Sequence, residues 1–453
     1  MNKFKFHPVG QGLFYTGSIA SGRFNFVYDC GTESRKHYLH NAIDSYFNEL
    51  SFNSYNPSID FVVISHLHSD HFNGLWLLSK KIKIDKVYLP YLGKNKSIIK
   101  IILYKKLVMG VKIGDKNSKE FEDLAYRVAC QLYGVSEERY FPNIGEPKFL
   151  GVEPNNFDEK GFCYSKHEDK LTIGTKDYWK FFFVNKTISN EKLNELLDNL
   201  KREINDFENK SLEKIIELDG GIEAIDNAYK NTFGDNQNIT STLLYHHPVH
   251  DLYVGWVDCG KMSPVYCKEG CCAFNCQRNL RKNTTLLTGD AEFDKGIKKE
   301  LNYLESLGMF NKEVGVIQIP HHGSKYNWEK MNDMGIKSIH NVVSFGLGNS
   351  YHHPNEKVVN NILKNNQKLW IANQIGEIKY KIKELNFLTK ELIENHINEI
   401  DNNEFESVIL EAIKEGSADA INELKRAFVY AEICLEPFDK AVANVVSKLL
   451  GVK

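Results

Sequence analysis

Ile59-Asp60-Phe61-Val62-Val63-Ile64-Ser65 runs straight into His66-Leu67-His68-Ser69-Asp70-His71-Phe72-Asn73-Gly74. The first seven residues are a mostly apolar run of strand length, and a polar, histidine-rich segment follows directly. Histidines two apart cannot share a helix face. A loop at a strand end can aim both imidazoles at one point, and a first helical turn can set Asp70 and His71 beside them. Three nitrogen ligands and one hard carboxylate suit zinc, and also iron or manganese, better than calcium. This loop therefore reads as a metal site, and a helix carrying Leu75, Leu77 and Leu78 is expected to begin near Asp70.

Two ions need more ligands than one loop supplies, and later strand ends carry them. Thr284 to Thr288 leads into Gly289-Asp290-Ala291-Glu292, where the glycine permits a sharp turn and leaves Asp290 at a sheet edge, placed to bridge two ions. Val314 to Ile319 leads into Pro320-His321-His322-Gly323-Ser324, a third strand end with imidazoles.

Outward from these motifs the chain has 453 residues, enough for two or three domains with a substantial core. Hydrophobic residues at 42% and charged residues at 26% exclude intrinsic disorder. The formal net charge of −2 argues against a protein that grips long duplex DNA, and favours small or short substrates. The segment Met1 to Gly22 is broken by charge and glycine, and no apolar run reaches membrane-spanning length, so a cytoplasmic, non-membrane protein is expected. Nine cysteines, five of them between Cys259 and Cys276, read as reduced thiols or a metal cluster rather than disulfides.

Short strands are expected at Phe4 to Phe6, Gly12 to Thr16, Arg23 to Tyr28 and Lys86 to Leu89. From Ser97 to Phe233 charged segments with apolar residues at helical spacing (Leu193, Leu196, Leu197, Leu200) predict a helical insertion. Strand signals return at Ile239 to Tyr245, Leu252 to Val257, Thr284 to Thr288, Val314 to Ile319, Asn341 to Phe345, near Leu369 and at Ile378 to Ile382. The region after Lys383 turns helical again. The expected division is a core of residues 1–96 and 234–383, a helical insertion over 97–233 and a helical C-terminal region over 384–453.

Taken together, the motifs resemble the metallo-β-lactamase fold, and within it the branch similar to the soluble hydrolase domain of competence-type DNA-uptake channels. The matching residues are Val9-Gly10-Gln11-Gly12, Val27-Tyr28-Asp29-Cys30-Gly31, His66 to Gly74, Asn238-Ile239-Thr240-Ser241, Leu286 to Glu292, Ile319 to Ser324 and Asn349-Ser350-Tyr351-His352-His353-Pro354, in that order. The resemblance implies an α/β, four-layer αββα sandwich with a dinuclear site along one edge. His66 and His68 would hold the first ion, Asp70 and His71 the second, with Asp290 bridging and His322, favoured over His321, completing the second. Asp29 would orient a ligand histidine. Asn238 stands where many members have a further histidine for the first ion.

The implied chemistry is hydrolysis with two zinc ions, or manganese or iron, most simply of a phosphodiester in nucleic acid or a nucleotide. Asp70 would orient the attacking water, His353 would donate to the leaving oxygen and Lys325 would offset phosphate charge. The spacing of Cys259, Cys267, Cys271, Cys272 and Cys276 suits a further structural zinc, with an ordinary thiol-rich loop as the alternative. Two other functions stay open: hydrolysis of an ester, lactone or amide, and a partner-recruiting effector whose core is switched on through residues 97–233 or 384–453.

Overall fold

The computed structural model describes residues 2–53, 57–90, 148–151, 169–173, 176–186, 188–210, 214–215, 217–234, 241–249, 253–259, 276–280, 283–365 and 367–384. The first strands are β1 (Asn2–Phe6), β2 (Phe14–Ile19), β3 (Phe24–Cys30), β4 (Ser58–Ile59), β5 (Phe61–Val63), β6 (Lys83–Ile84), β7 (Lys86–Leu89), β8 (Lys148–Gly151) and β9 (Asp169–Ile173). The others are β10 (Lys176–Lys186), β11 (Ser241–Pro248), β12 (Tyr253–Cys259), β13 (Cys276–Leu280), β14 (Thr285–Leu287), β15 (Glu313–Gln318), β16 (Lys337–Ser344), β17 (Lys368–Ala372) and β18 (Ile378–Glu384). One sheet runs β13-β12-β18-β1-β2-β3-β5-β7-β8 and a second runs β17-β16-β15-β14-β11-β10-β9.

Alternation along the strands builds the interior. In β10, Trp179, Phe181 and Phe183 enter the layer between the sheets, while Phe182 and Val184 face the other way. The inner layer also takes Phe4, Phe26, Phe61, Leu287 and Trp370. Outside the first sheet pack α1 (Lys36–Asn53), α3 (Leu75–Lys81) and the helices Asn190–Glu203 and Gly221–Phe233. Outside the second pack the helices Lys295–Ser306, Lys325–Asn332 and Glu356–Lys364. Helix, sheet, sheet and helix follow one another, the αββα arrangement expected.

Topology then fixes where chemistry can happen. β14, β15, β16 and β17 are mutually parallel, as are β3, β5 and β7. Parallel strands deliver their carboxyl ends to one edge, where ligands gather in open α/β sheets.

Three expectations need correction. The region 97–233 is not uniformly helical: its helices at Asn190–Glu203 and Gly221–Phe233 are preceded by β8, β9 and β10, which extend both sheets. The period-two aromatics of Tyr178 to Val184 outweigh the charged texture around them. His246, which a place beside His247-Pro248 would put at a surface hairpin, is fully buried between the sheets. The segment between Leu252 and Thr288 carries β13 as well as β12, with Cys259 opposite Cys276 in the ladder. Cys267, Cys271, Cys272, Asn238 and residues 385–453 lie outside the described residues. Among the described residues no helix is long and apolar enough to cross a membrane.

Candidate metal centre

The site is assembled from strand ends of both sheets. After β5, Ser65 and His66 lead into α2 (Ser69–Phe72), a single turn that buries Asp70 and His71. After β14, Gly289 takes φ +52°, and a Cβ there would stand 2.5 Å from Ser65 Oγ. Glycine is therefore required to bring Asp290 against the β5 end. After β15, His321 and His322 adopt φ +50° and +53°. Asp29, at the end of β3, and His352 are left-handed too. Non-glycine residues in that region cost on the order of 1–3 kcal/mol each, and such strain gathers at functional sites.

These ends converge on Asp290. Its Oδ1 lies 3.2 Å from His71 Nε2 and 3.8 Å from His322 Nε2, while its Oδ2 lies 3.6 Å from His66 Nε2 and 3.7 Å from His321 Nε2. Asp70 Oδ2 is 3.0 Å from His322 Nε2 and 3.6 Å from His71 Nε2. Two sets of donor atoms, His66–His71–Asp290 and Asp70–His71–His322, each fall within 4.8 Å of one another, and all are buried.

The outer nitrogen of each imidazole is committed. His322 Nδ1 donates to the Ser344 carbonyl at 2.7 Å and His71 Nδ1 to Asp29 Oδ2 at 2.7 Å. Ser65 Oγ gives its proton to Asp29 Oδ2 at 2.7 Å, so at 2.9 Å it must accept from His66 Nδ1. With hydrogen on Nδ1, each Nε2 keeps its lone pair for a cation, the tautomer control that metal ligands need. Neither His71 Nε2 nor Asp290 Oδ1 makes a properly directed hydrogen bond among the described residues.

Burial alone would lift the Asp290 pKa, yet His71, His321 and His322 together hold it well below the usual carboxylate range. Burial likewise works to lower His71, but Asp70, Asp290 and Asp29 outweigh it and hold the imidazole well above its ordinary value. Three buried carboxylates thus demand positive charge at this point. The donor set fits divalent ions: imidazole nitrogens and carboxylates, no thiolate, and a carboxylate offering one oxygen to each side.

A family model described as the metallo-beta-lactamase superfamily matches residues 17–97, the segment that carries β2, β3, the His66 loop and Asp70. The fold is that of the metallo-β-lactamase superfamily. Over 98 residues the chain is 28% identical to ComE operon protein 3 of Bacillus subtilis (strain 168), a match covering 22% of this chain and 12% of that protein. Native FEZ-1 metallo-beta-lactamase from Legionella gormanii aligns with 38% of this chain and 60% of its own at 16% identity, with a TM-score of 0.16, too low to bear on the assignment.

Within this metallo-β-lactamase fold the sequence-predicted residues separate into those that converge and those that stand aside. His66, Asp70, His71, Asp290 and His322 converge. His68 stacks edge-on to His66 with ring centroids 4.5 Å apart and belongs to neither donor set. His321 reaches Asp290 from a side chain 36% exposed, against 3% for His322. His353 stands 5.6 Å from the His321 ring and stacks on Tyr351. Asn349 clamps its backbone through bonds of 3.0 and 2.7 Å. Lys325 lies 3.5 Å from Glu329 across one helical turn, an exposed pair.

Sequence reading missed several residues of this site. Ser65 ties Asp29 to His66 and sits inside the quoted strand, yet a serine before a histidine carries no signal by itself. Ser344 acts through its carbonyl, which no side-chain pattern can reveal. Buried Gln318 accepts from the Thr288 and Gly289 amides at 2.8 and 2.7 Å and so holds the turn before Asp290. Glu33 bonds Tyr351 at 3.5 Å, and partial desolvation together with the Asp70 charge raises its pKa.

Proposed function

We propose that the protein is a divalent-metal-dependent hydrolase of phosphodiesters, in nucleic acid or a nucleotide, with two zinc ions or their manganese or iron equivalents. The observation that carries this reading is Asp290, which turns one oxygen toward His71 and His322 and the other toward His66 and His321. Asp70, His71 and His322 would hold one ion and His66 the other, with Asp290 offering an oxygen to each; His71 has a single free nitrogen and can serve only one ion. Bound divalent ions supply charge that acidifies water and offsets the charge building on phosphoryl oxygens.

The side chains do the rest. Asp70, held below the normal carboxylate range because His71 and His322 outweigh its burial, stays ionised and orients the attacking water. Burial, then His321 and His322, push His353 down to about 4, so at neutral pH it is a neutral imidazole that gives the leaving oxygen a hydrogen bond rather than a net charge. Its Nδ1 is buried without a hydrogen-bond partner among the described residues. Asp29 keeps His71 in register. Lys325 can offset phosphate charge only by leaving Glu329. With Cys30 a free thiol, a reducing cytoplasmic compartment fits this reading.

The test is to incubate the zinc- or manganese-loaded protein with bis(p-nitrophenyl) phosphate, a lactone and single-stranded DNA. Phosphodiester cleavage that stops with EDTA, returns with metal and falls more than about a hundredfold in Asp290→Ala is expected. Activity on the lactone alone would replace the reading with ester, lactone or amide hydrolysis. Inertness toward all three with metal bound would point to a partner-dependent effector. Elemental analysis of the same samples should show about two ions lost or weakened in Asp290→Ala. One further zinc should be lost when Cys259, Cys267, Cys271, Cys272 and Cys276 are replaced.

A further inference from the structure

Away from the metal centre, a groove of about 1180 Å³ lies between α1 and the outer face of β2, β1 and β18. Its floor is a ladder of lysines. Lys5 stands opposite Lys379, and Lys3 opposite Lys381, in the β1–β18 register. Like charges directly opposite in a sheet repel and need counter-charge. The first pair has it: Lys5 bonds Glu49 at 2.7 Å and Glu377 at 2.9 Å, and Glu377 also reaches Lys379 at 2.5 Å. The second pair has no carboxylate partner among the described residues, and its cross-strand neighbour on β2 is Ser18, another acceptor or donor for an anion. At the groove wall, Phe52 near the end of α1 is 92% exposed, the most exposed large apolar side chain among the described residues.

Unneutralised lysines in a groove beside a solvent-facing aromatic ring are the chemistry that holds single-stranded nucleic acid, phosphates on the cations and an unstacked base on the ring. Residues i and i+2 on a strand are about 6.8 Å apart, so the ladder steps along β1 and β18 at a pitch an extended strand can follow.

We propose that this groove binds single-stranded nucleic acid outside the metal centre, with phosphates at Lys3 and Lys381 and a base against Phe52. The inference rests on the phosphodiester reading and narrows its substrate to oligonucleotides longer than the active site itself. Two such contacts predict a salt dependence whose log–log slope drops by about 1.4 when both lysines are lost, at ~0.7 per phosphate on a single strand.

The experiment compares the metal-loaded full chain with Lys3→Glu/Lys381→Glu and with Phe52→Ala. Each is assayed for hydrolysis of bis(p-nitrophenyl) phosphate and of a fluorescein-labelled single-stranded 30-mer. Expected is a rise of about tenfold or more in KM for the oligonucleotide relative to the small diester in the double variant, with the shallower salt slope. Phe52→Ala should lose about fivefold or more. If the glutamates unsettle the sheet, Lys3→Gln/Lys381→Gln keeps the packed stems and removes the charge. Anisotropy of the 30-mer on Asp290→Ala protein reads binding independently of cleavage. Groove-dependent binding without hydrolysis of either substrate would overturn the phosphodiester reading and keep the groove. Hydrolysis with unaltered oligonucleotide KM and salt slope in every groove variant would overturn the groove and keep the reading. Normal oligonucleotide binding coupled to faster tryptic release of residues 385–453 would reassign the groove to the acidic run 391–411 of this chain, which contains no lysine or arginine.

Discussion

Asp29 shows how much of the candidate metal centre rests on a residue outside both donor sets. Its carboxylate is fully buried and accepts from the Ser65 amide at 2.6 Å, Ser65 Oγ at 2.7 Å and His71 Nδ1 at 2.7 Å. Burial lifts its pKa, while His71 and Ser65 pull against that lift. Asp29→Asn preserves the shape but points an NH2 group at one of three donors, so His71 loses its fixed orientation. Zinc affinity should fall about 10- to 100-fold in competition with a chelating dye, with an unchanged far-ultraviolet spectrum. The candidate donors His66, Asp70, His71, Asp290 and His322 were legible because coordination chemistry resides in residue type and in position after a strand. Ser344 and Gln318 were not, because one acts through its main chain and the other through contacts made only when β14 and β15 lie side by side.

Among the elements, β10 is the one whose type sequence texture hid. Flanked by lysines and followed by a strongly amphipathic helix, it reads in sequence as part of a helical insertion. In the fold it pairs with β11 over eight residues and drives Phe181 against Phe26 and Phe61, with ring centroids 5.0 Å from each. Phe181→Ala should destabilise the protein by about 3–5 kcal/mol, read from urea unfolding, because a fully buried ring leaves a cavity the two sheets cannot close. On the partner strand, His246 bonds Tyr15 at 3.0 Å and Trp179 at 3.3 Å inside the same layer. Burial, and then the nearby His247, hold its pKa well below 6.5. The unfolded chain therefore takes up the proton first. Stability from a neutral His246 is complete above about pH 6.5 and declines below it, by up to about 1.4 kcal/mol per pH unit. The stability gap between wild type and His246→Leu should accordingly narrow between pH 7.5 and 5.5; a gap that widens would mean the imidazole is charged in the fold.

At the scale of the whole molecule, the centre ties the β3 and β5 ends of one sheet to the β14 and β15 ends of the other. Ions bound there favour the folded state alone, so zinc at a hundredfold excess over its Kd should add about 2.7 kcal/mol. Chelation should lower the melting temperature, and Asp290→Ala protein should show no such response to zinc. The amino-acid sequence by itself determined most strands of both sheets and the identity of most donor side chains, since strand periodicity and ligand type are local properties; the αββα class and the edge that holds the site followed from the family its motifs resemble. It also placed Lys5, Lys379 and Lys381 on strands without disclosing their arrangement. Only the tertiary structure decided that Lys3 meets Lys381, that Asp290 turns one oxygen toward His71 and His322 and the other toward His66 and His321, and that His246 lies inside rather than outside. Each of these depends on which strands become neighbours, and pairing between segments more than two hundred residues apart is set by the packing of the two sheets as a whole.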